Sequence, residues 1–316
     1  MYREKVYIYG AGESGKWLAR YLKKTDITVK SFVVSDTFDA LEYQGIDCIH
    51  LKDLNLCNED LLLIAVTEEK VSDVIKNVNE KAITNYKVIN YFQKRMPVNS
   101  SGDFYNELTE LDKLGVQSCT DKSSLSHNYL NKYELFLHRY REKKNVRLEL
   151  GVFNGASLQM WANYFYNSTI IGVDIDEKCR GYQNENIKIE ITDLSNIDNI
   201  LKLRNYRPQI IIDDASHIWS HQILCLEYLY DILPSGGIYI IEDLETSFCH
   251  EFYDVSYADS KVSAYNFLSL ICERVCSGRP LSEISKISSR ASKIADMTES
   301  IMFFRGACLL VKRCFF

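Results

Sequence analysis

The sequence predicts an α/β protein made of two Rossmann-like domains. Three observations predict it. Short apolar runs alternate with helical spacings in two separate stretches, a glycine-bearing turn follows the first run of each, and a proline–serine–glycine segment lies between them. The 316 residues are enough for two modest domains, each with its own core.

Residues 1–95 form the first stretch. Val6–Tyr9 reads as a strand, Gly10-Ala-Gly12-Glu-Ser-Gly15 as the turn, and Trp17, Leu18, Tyr21 and Leu22 as one helix face. Val29–Val34, Leu61–Val66 and Val88–Tyr91 read as further strands, with a helical stripe at Val71, Val74, Ile75 and Val78. Residues 96–118 read as a linker. Pro97-Val-Asn-Ser-Ser-Gly102 is turn-rich, and Phe104, Leu108, Leu111 and Leu114 suggest a connecting helix. Residues 119–316 form the second domain. A helical stretch at Tyr129–Arg141 precedes strands at Val146–Leu150, Ile170–Val173, Ile187–Ile191, Gln209–Ile212 and Gly237–Ile241. Helical patterns lie at Leu158–Tyr164, Ile197–Leu203 and Gln222–Leu233, and Ser300–Phe304 with Ala307–Lys312 look like an antiparallel pair. Five parallel strands and a terminal hairpin make the element order of a class I methyltransferase sheet. That is an analogy of fold, which restricts function without establishing it.

A hydrophobic share of 46% and a charged share of 25% are ordinary for a globular protein. The net charge of -6, with no dense Lys/Arg stripe, argues against nucleic acid as the main partner. The first residues lack the pattern of a signal peptide, and no apolar run approaches the ~18–20 residues of a membrane span. The ten cysteines are scattered without a C-x-x-C pair, so reduced thiols and a cytoplasmic location are expected.

Glu149-Leu-Gly151-Val-Phe-Asn-Gly155-Ala-Ser157 sits where the second domain's first strand turns into a helix, a place where glycine lets a ligand approach the backbone. Asp174 ends the next strand, placed for ribose hydroxyls, and Asp193 follows the third, placed for an adenine edge. The expected ligand is S-adenosylmethionine. Two further strands end in acidic clusters, Asp213-Asp214-Ala-Ser-His217 and Glu242-Asp243. Neighbouring strands lie ~4.8 Å apart, so Asp214, Glu242 and Asp243 can converge on one cation that relieves their mutual repulsion. Oxygen ligands suit a hard ion, Mg²⁺ first and Mn²⁺ next. Such carboxylates also occur as solvated strand edges or helix caps, and His217 also suits a ribose or structural contact. His221 reads as a solvated helix residue.

These residues resemble the macrocin and mycinamicin type of metal-dependent sugar O-methyltransferase, related to a methyltransferase of cephamycin biosynthesis. The resemblance runs over about 190 residues: Thr120-Asp121-Lys122, His127 and Tyr129, Glu149-Leu-Gly151, Gly155-Ala-Ser-Leu-Gln-Met-Trp161, Asp213-Asp214-Ala-Ser-His217 and Glu242-Asp243-Leu-Glu-Thr-Ser247. It implies that Asp214, Glu242 and Asp243 hold the metal and that His217 is the general base. It implies that Asp213 belongs with the donor-site residues and that Thr120 to Tyr129 form a wall or lid. The acceptor it implies is a sugar hydroxyl of a surface polysaccharide or glycosylated metabolite. Ala215 departs from the glycine frequent there.

The first domain's Gly10, Gly12 and Gly15 open a helix whose start suits a diphosphate, with Asp36 near the end of the second strand. This domain resembles the nucleotide-sugar-binding domain preceding bacterial sugar acetyltransferases, and also truncated NAD- or coenzyme A-binding domains. It implies a nucleotide or nucleotide-sugar ligand. No Tyr-x-x-x-Lys motif accompanies the loop, which counts against hydride transfer. A nucleotide-sugar oxidoreductase or isomerase and a non-catalytic binding module remain the alternatives, and a homo-oligomer is an open expectation.

Overall fold

The structure, a computed structural model, describes residues 5–24, 27–35, 42–43, 45–57, 60–89, 108–254, 262–279 and 286–314. Asp36 and Pro97–Gly102 therefore lie outside the described residues, as does the start of the expected connecting helix at Phe104. The chain divides into two compact units, Met1–Phe136 and Leu137–Phe316.

In the first unit, β1 (Val6–Tyr9), β2 (Val29–Val34), β3 (Glu42–Tyr43), β4 (Ile46–His50), β5 (Leu61–Ile64) and β6 (Tyr86–Val88) form one sheet in the order β3-β4-β2-β1-β5-β6. All pairings are parallel except β3 with β4. Helix α1 (Glu13–Lys24) buries Trp17, Leu18, Tyr21 and Leu22, the face read from their spacing, and α2 (Glu68–Glu80) buries Val74 and Val78. Two more helices, α3 (Glu110–Ser118) and α4 (Leu130–Leu137), start in this unit. Thr109 caps α3 through Oγ1, which accepts from Asp112 N at 3.3 Å, and the left-handed Cys119 (φ 58°) ends it.

The boundary between units thus falls after the expected linker at 96–118. Leu108, Val116, Cys119 and Leu125 share an apolar cluster with Ile8, Trp17 and Phe32, which ties this helical segment to the first sheet. The expected wall segment has its own internal bonding. The Lys122 carbonyl accepts from Tyr129 N at 2.8 Å, and His127 stacks on Tyr129 at 5.2 Å.

The second unit is a seven-stranded sheet. Its strands are β7 (Val146–Leu150), β8 (Thr169–Asp174), β9 (Ile187–Ile191), β10 (Ile210–Asp213), β11 (Ile238–Ile241), β12 (Thr298–Phe304) and β13 (Ala307–Lys312), in the order β12-β13-β11-β10-β7-β8-β9. The first five are parallel, and β13 runs antiparallel to both β11 and β12. This is the class I methyltransferase arrangement expected from the element order. Strands buried on both faces read as unbroken apolar runs, as in Ile210-Ile-Ile and Ile238-Tyr-Ile-Ile.

Helices α5 (Ala156–Tyr164), α6 (Ile197–Leu203), α7 (Trp219–Leu229), α8 (Ala264–Ser277) and α9 (Lys286–Asp296) cover the sheet. The largest apolar cluster joins Leu148, Ile211 and Tyr239 of the strands to Ile200, Leu226, Leu268 and Ile294 of these helices. No helix among the described residues is long and apolar enough to cross a membrane.

Ile211, on a central strand and wholly buried, tests this core. Ile211→Ala should cost ~2–5 kcal/mol in urea denaturation, the range for truncating a buried aliphatic side chain. A loss below ~1 kcal/mol would mean that the core does not close over β10.

Candidate active site

The site of the second unit lies beyond the carboxyl ends of its parallel strands, where the order reverses between β7 and β10. Leaving β7, Gly151 takes a left-handed φ of 92°, and a Cβ on it would stand 2.0 Å from the Asp214 carbonyl oxygen. Only glycine lets these two loops meet. Gly155 (φ 70°) precedes α5 and abuts the ring of Tyr182.

A cleft of about 360 Å³ opens over these loops, lined among others by Gly151, Asp174, Asp193 and Asp214. That volume is in the range of small-ligand sites. Asp174 accepts from Val152 N at 2.8 Å and Phe153 N at 3.1 Å through Oδ2, and from Asp176 N at 2.9 Å through Oδ1. Burial opposes its charge, but these bonds prevail and hold its carboxyl below the usual range. Asp193 is also held low, chiefly by Ser195 N, which donates to it at 2.9 Å.

Four expected donor-site residues do not line the cleft: Gly155, which faces the Tyr182 ring, and Glu149, Ser157 and Asp213, which are buried. Glu149 is 1% exposed; it accepts from Ser157 Oγ at 2.9 Å and Trp161 Nε1 at 3.1 Å, fastening β7 to α5. Glu149 and Ser157 therefore bond to each other, and neither lines the cleft. Asp213 is 2% exposed and accepts from Tyr239 OH at 3.0 Å; burial pushes its pKa up to about 7. Residues to which the sequence reading gave no ligand role line the cleft: Phe153, Ile175, Leu194, Ser216 and His221, the last of which was read as a solvated helix residue. Ile175 and Leu194 directly follow the two acidic residues, a position from which an apolar wall could have been read. His221 Nδ1 lies 2.9 Å from Ser216 Oγ, and burial lowers its pKa against the pull of Asp254 and Asp193.

Beside the cleft, ligand atoms of Asp214, His217 and Asp243 all lie within 4.8 Å of one another. His217 Nε2 is 3.6 Å from Asp243 Oδ2, while His217 Nδ1 is buried with no hydrogen-bond partner among the described residues. Both residues have left-handed backbones, φ 58° and 53°, uncommon without glycine. Glu242 is not in this cluster. It is buried just beyond the end of β11, whereas the left-handed backbone of Asp243 turns the chain out of the strand and brings that carboxylate into the cluster. Asp213 is likewise buried while Asp214 lines the cleft.

In the first unit a cleft of about 640 Å³ is lined by Gly10, Gly12, Ser14, Ser35 and Lys70 among others. Gly15 lies beneath it, where a Cβ would stand 1.8 Å from the Gly10 carbonyl oxygen.

No family model matches the sequence. The chain is 28% identical to the 8-demethyl-8-alpha-L-rhamnosyl tetracenomycin-C 2'-O-methyltransferase of Streptomyces olivaceus, over 63% of this chain and 53% of that protein. It is 30% identical to the demethylmacrocin O-methyltransferase of Streptomyces fradiae, over 44% of this chain and 37% of that one. The chain thus spans about half the length, or less, of the curated relatives it matches. Among solved structures, the MycE methyltransferase in complex with Mg, SAH and mycinamycin VI matches 66% of this chain and 55% of its own. The TM-score is 0.56 and the identity 21%, a likeness of fold.

The buried carboxyl of Asp213 carries a pH signature. Its folded pKa of about 7 lies above the ~3.9 of an unfolded aspartate, so the folded state binds the extra proton. Its contribution to stability is complete below pH ~4, declines as the pH rises toward ~7, and is gone above that. Asp213→Asn should flatten this decline in denaturation curves measured from pH 4 to 8, and an unchanged slope would assign it to other groups.

Proposed function

We propose that this chain transfers a methyl group from S-adenosylmethionine to a sugar hydroxyl, with Mg²⁺ or Mn²⁺ at the acidic cluster. One observation carries the reading: Asp214 belongs both to the cleft and to the cluster, so donor and acceptor meet at one residue. The relatives support it: one is named as the 2'-O-methyltransferase of a rhamnosyl tetracenomycin and the other as the demethylmacrocin O-methyltransferase. The acceptor is then a glycosylated small molecule or a surface polysaccharide.

Asp174 and Asp193 would take the ribose hydroxyls and the adenine edge, the open backbone at Gly151 the amino-acid portion. Asp174 accepts three backbone N–H groups, which fixes its orientation at the edge of the cleft. The two carboxylates of the cluster, with ligand atoms within 4.8 Å of each other, form a donor set that fits a hard divalent ion and leave the imidazole beside them free to act as a base. Asp214 and Asp243 are the proposed ligands, and Glu242 would have to turn toward the cluster to become the third. When bound, such an ion lowers the pKa of a hydroxyl it contacts. His217 accepts the hydroxyl proton, and the Asp243 carboxylate 3.6 Å away stabilises the resulting imidazolium. The sugar oxygen attacks the methyl carbon, and the carbon–sulfur bond breaks as the new carbon–oxygen bond forms. Alignment of the two reactants is the protein's remaining task.

Transfer of a radiolabelled methyl group from the donor to a panel of glycosides tests the reading. Chelation should abolish transfer and Mg²⁺ restore it; full activity in metal-free protein would sink the metal assignment. His217→Ala should lower turnover ~10²-fold or more while metal affinity holds. Asp214→Ala should weaken the metal, so that excess Mg²⁺ partly rescues it. The reverse pattern would exchange the two roles.

We also propose that the cleft of the first unit takes a nucleotide or nucleotide-sugar. Packing accounts for Gly10 and Gly15, each of which would clash with backbone if it carried a Cβ. Packing does not account for Gly12, where a Cβ would meet nothing within 4 Å. Gly12 lines the cleft just before α1, where a phosphate gains from close approach to the backbone. Gly12→Val should leave the melting temperature unchanged and abolish calorimetric binding of nucleoside diphosphates or their sugars. Unaltered binding in the variant, or none in the wild type, would remove the proposal.

A further inference from the structure

Each unit has a glycine-bearing turn after its first strand, and the two turns differ at one place. In glycine turns that bind nucleotides, a second glycine two residues after the first lets the ligand approach the backbone. The first unit keeps that glycine, as Gly10-Ala-Gly12, whereas the second unit has Gly151-Val-Phe153. Phe153 nonetheless takes a left-handed backbone, with φ 51°. That region favours glycine and is an outlying one for a bulky side chain. Hydrogen bonds hold the residue there. Phe153 N donates to Asp174 Oδ2 at 3.1 Å, beside Val152 N at 2.8 Å, which fastens the turn after β7 to the end of β8. The Phe153 carbonyl accepts from the Cys179 thiol at 3.6 Å. Burial, with Asp174 close by, pushes the Cys179 pKa up to about 12, so the thiol keeps the proton it donates.

Core packing does not account for this residue. Phe153 is 80% exposed, and Ile175, which directly follows Asp174, is 69% exposed. Both line the cleft together with Asp174. A single exposed hydrophobe is ordinary on a protein surface. One held in a costly backbone conformation at the wall of a cavity is not, and strain of this kind collects where ligands are held.

We propose that Phe153 is a specificity-determining residue of the donor cleft, its ring forming the wall against which the adenosyl group lies. The proposal rests on the methyl-transfer reading and adds a residue to it. The Asp174 carboxylate that would take the ribose also accepts the Phe153 N–H, so one bond sets the ring's backbone and the carboxylate together. The faces of a purine and the C–H edge of a ribose are apolar, and a phenyl ring beside that carboxylate buries them. Aromatic side chains suit such contacts because only two torsions are frozen on binding. A diphosphate, by contrast, needs bare backbone at the second glycine position. The ring therefore favours a nucleoside that carries no phosphate.

Calorimetry on the full-length protein with adenosylhomocysteine tests this, using variants that separate the ring from the backbone. Phe153→Gly should weaken binding about tenfold or more, as expected on removing an aromatic anchor. The melting temperature of the ligand-free variant should stay level or rise, because glycine adopts this backbone without strain. Phe153→Tyr keeps the ring and should bind within about threefold of the unmodified protein. Undiminished binding in Phe153→Gly overturns the proposal, and so does an equal loss in Phe153→Tyr. A lower melting temperature of Phe153→Gly overturns it too, since the ring would then belong to the packing of the fold. A lower subunit number of that variant by light scattering does the same, by making the ring a contact between copies of this chain. If the unmodified protein binds no adenosylhomocysteine, the donor reading fails and this proposal with it; binding that Phe153→Gly leaves intact removes this proposal alone.

Discussion

Gly151 and the Asp214 carbonyl oxygen lie so close that no other residue fits at 151, and the candidate site depends on that approach. Gly151 N donates to the Val173 carbonyl and Asp214 N to the Leu150 carbonyl, both at 2.8 Å, so the two loops are extensions of the sheet's own ladder. The cleft floor and the acidic cluster are therefore positioned by backbone bonds between strands. Loop side chains only add to this. A site built in this way inherits the rigidity of the sheet, which alignment of two reactants requires.

The backbone at each strand end then decides what each acidic residue can do. At the end of β10, Asp213 turns inward to Tyr239 and Asp214 turns outward to the cleft. At the end of β11, Glu242 is buried and Asp243 enters the cluster. The inward members anchor the loops, and the outward members offer ligand atoms. His217 and Asp243 hold left-handed backbones, a conformation that costs roughly 1–2 kcal/mol without glycine. Thr246, bonded to the carbonyls of both, is the brace that keeps them so.

Much of this was legible in the residues. Strands such as Val6–Tyr9, Val146–Leu150 and Ile187–Ile191 run as read, because an apolar run or an apolar residue at every second position marks a strand with at least one buried face. The two-residue strand Glu42–Tyr43 and its partner Ile46–His50 carry no such signal, since their residues are partly exposed and mixed in polarity. Helices Ala264–Ser277 and Lys286–Asp296 were not read; the buried spacing of Phe267, Leu268 and Ile271 spans little more than one turn. In the candidate site, the sequence located the carboxylates but not their directions. A motif such as Glu149…Ser157 reads the same whether its polar atoms face a ligand or each other, and here they face each other.

The hairpin has a bearing on biosynthesis. β13 inserts between β11 and β12, and the carbonyl of Gly306 receives the N–H of Leu244, the residue after Asp243. Residues 298–312 leave the ribosome after every other strand of this sheet. Until they do, β11 has an open edge and the turn beneath the acidic cluster lacks one of its fastenings. A nascent chain stalled before residue 298 would thus expose the apolar strand Ile238–Ile241 as a template for aggregation, and the hairpin made after it closes that edge.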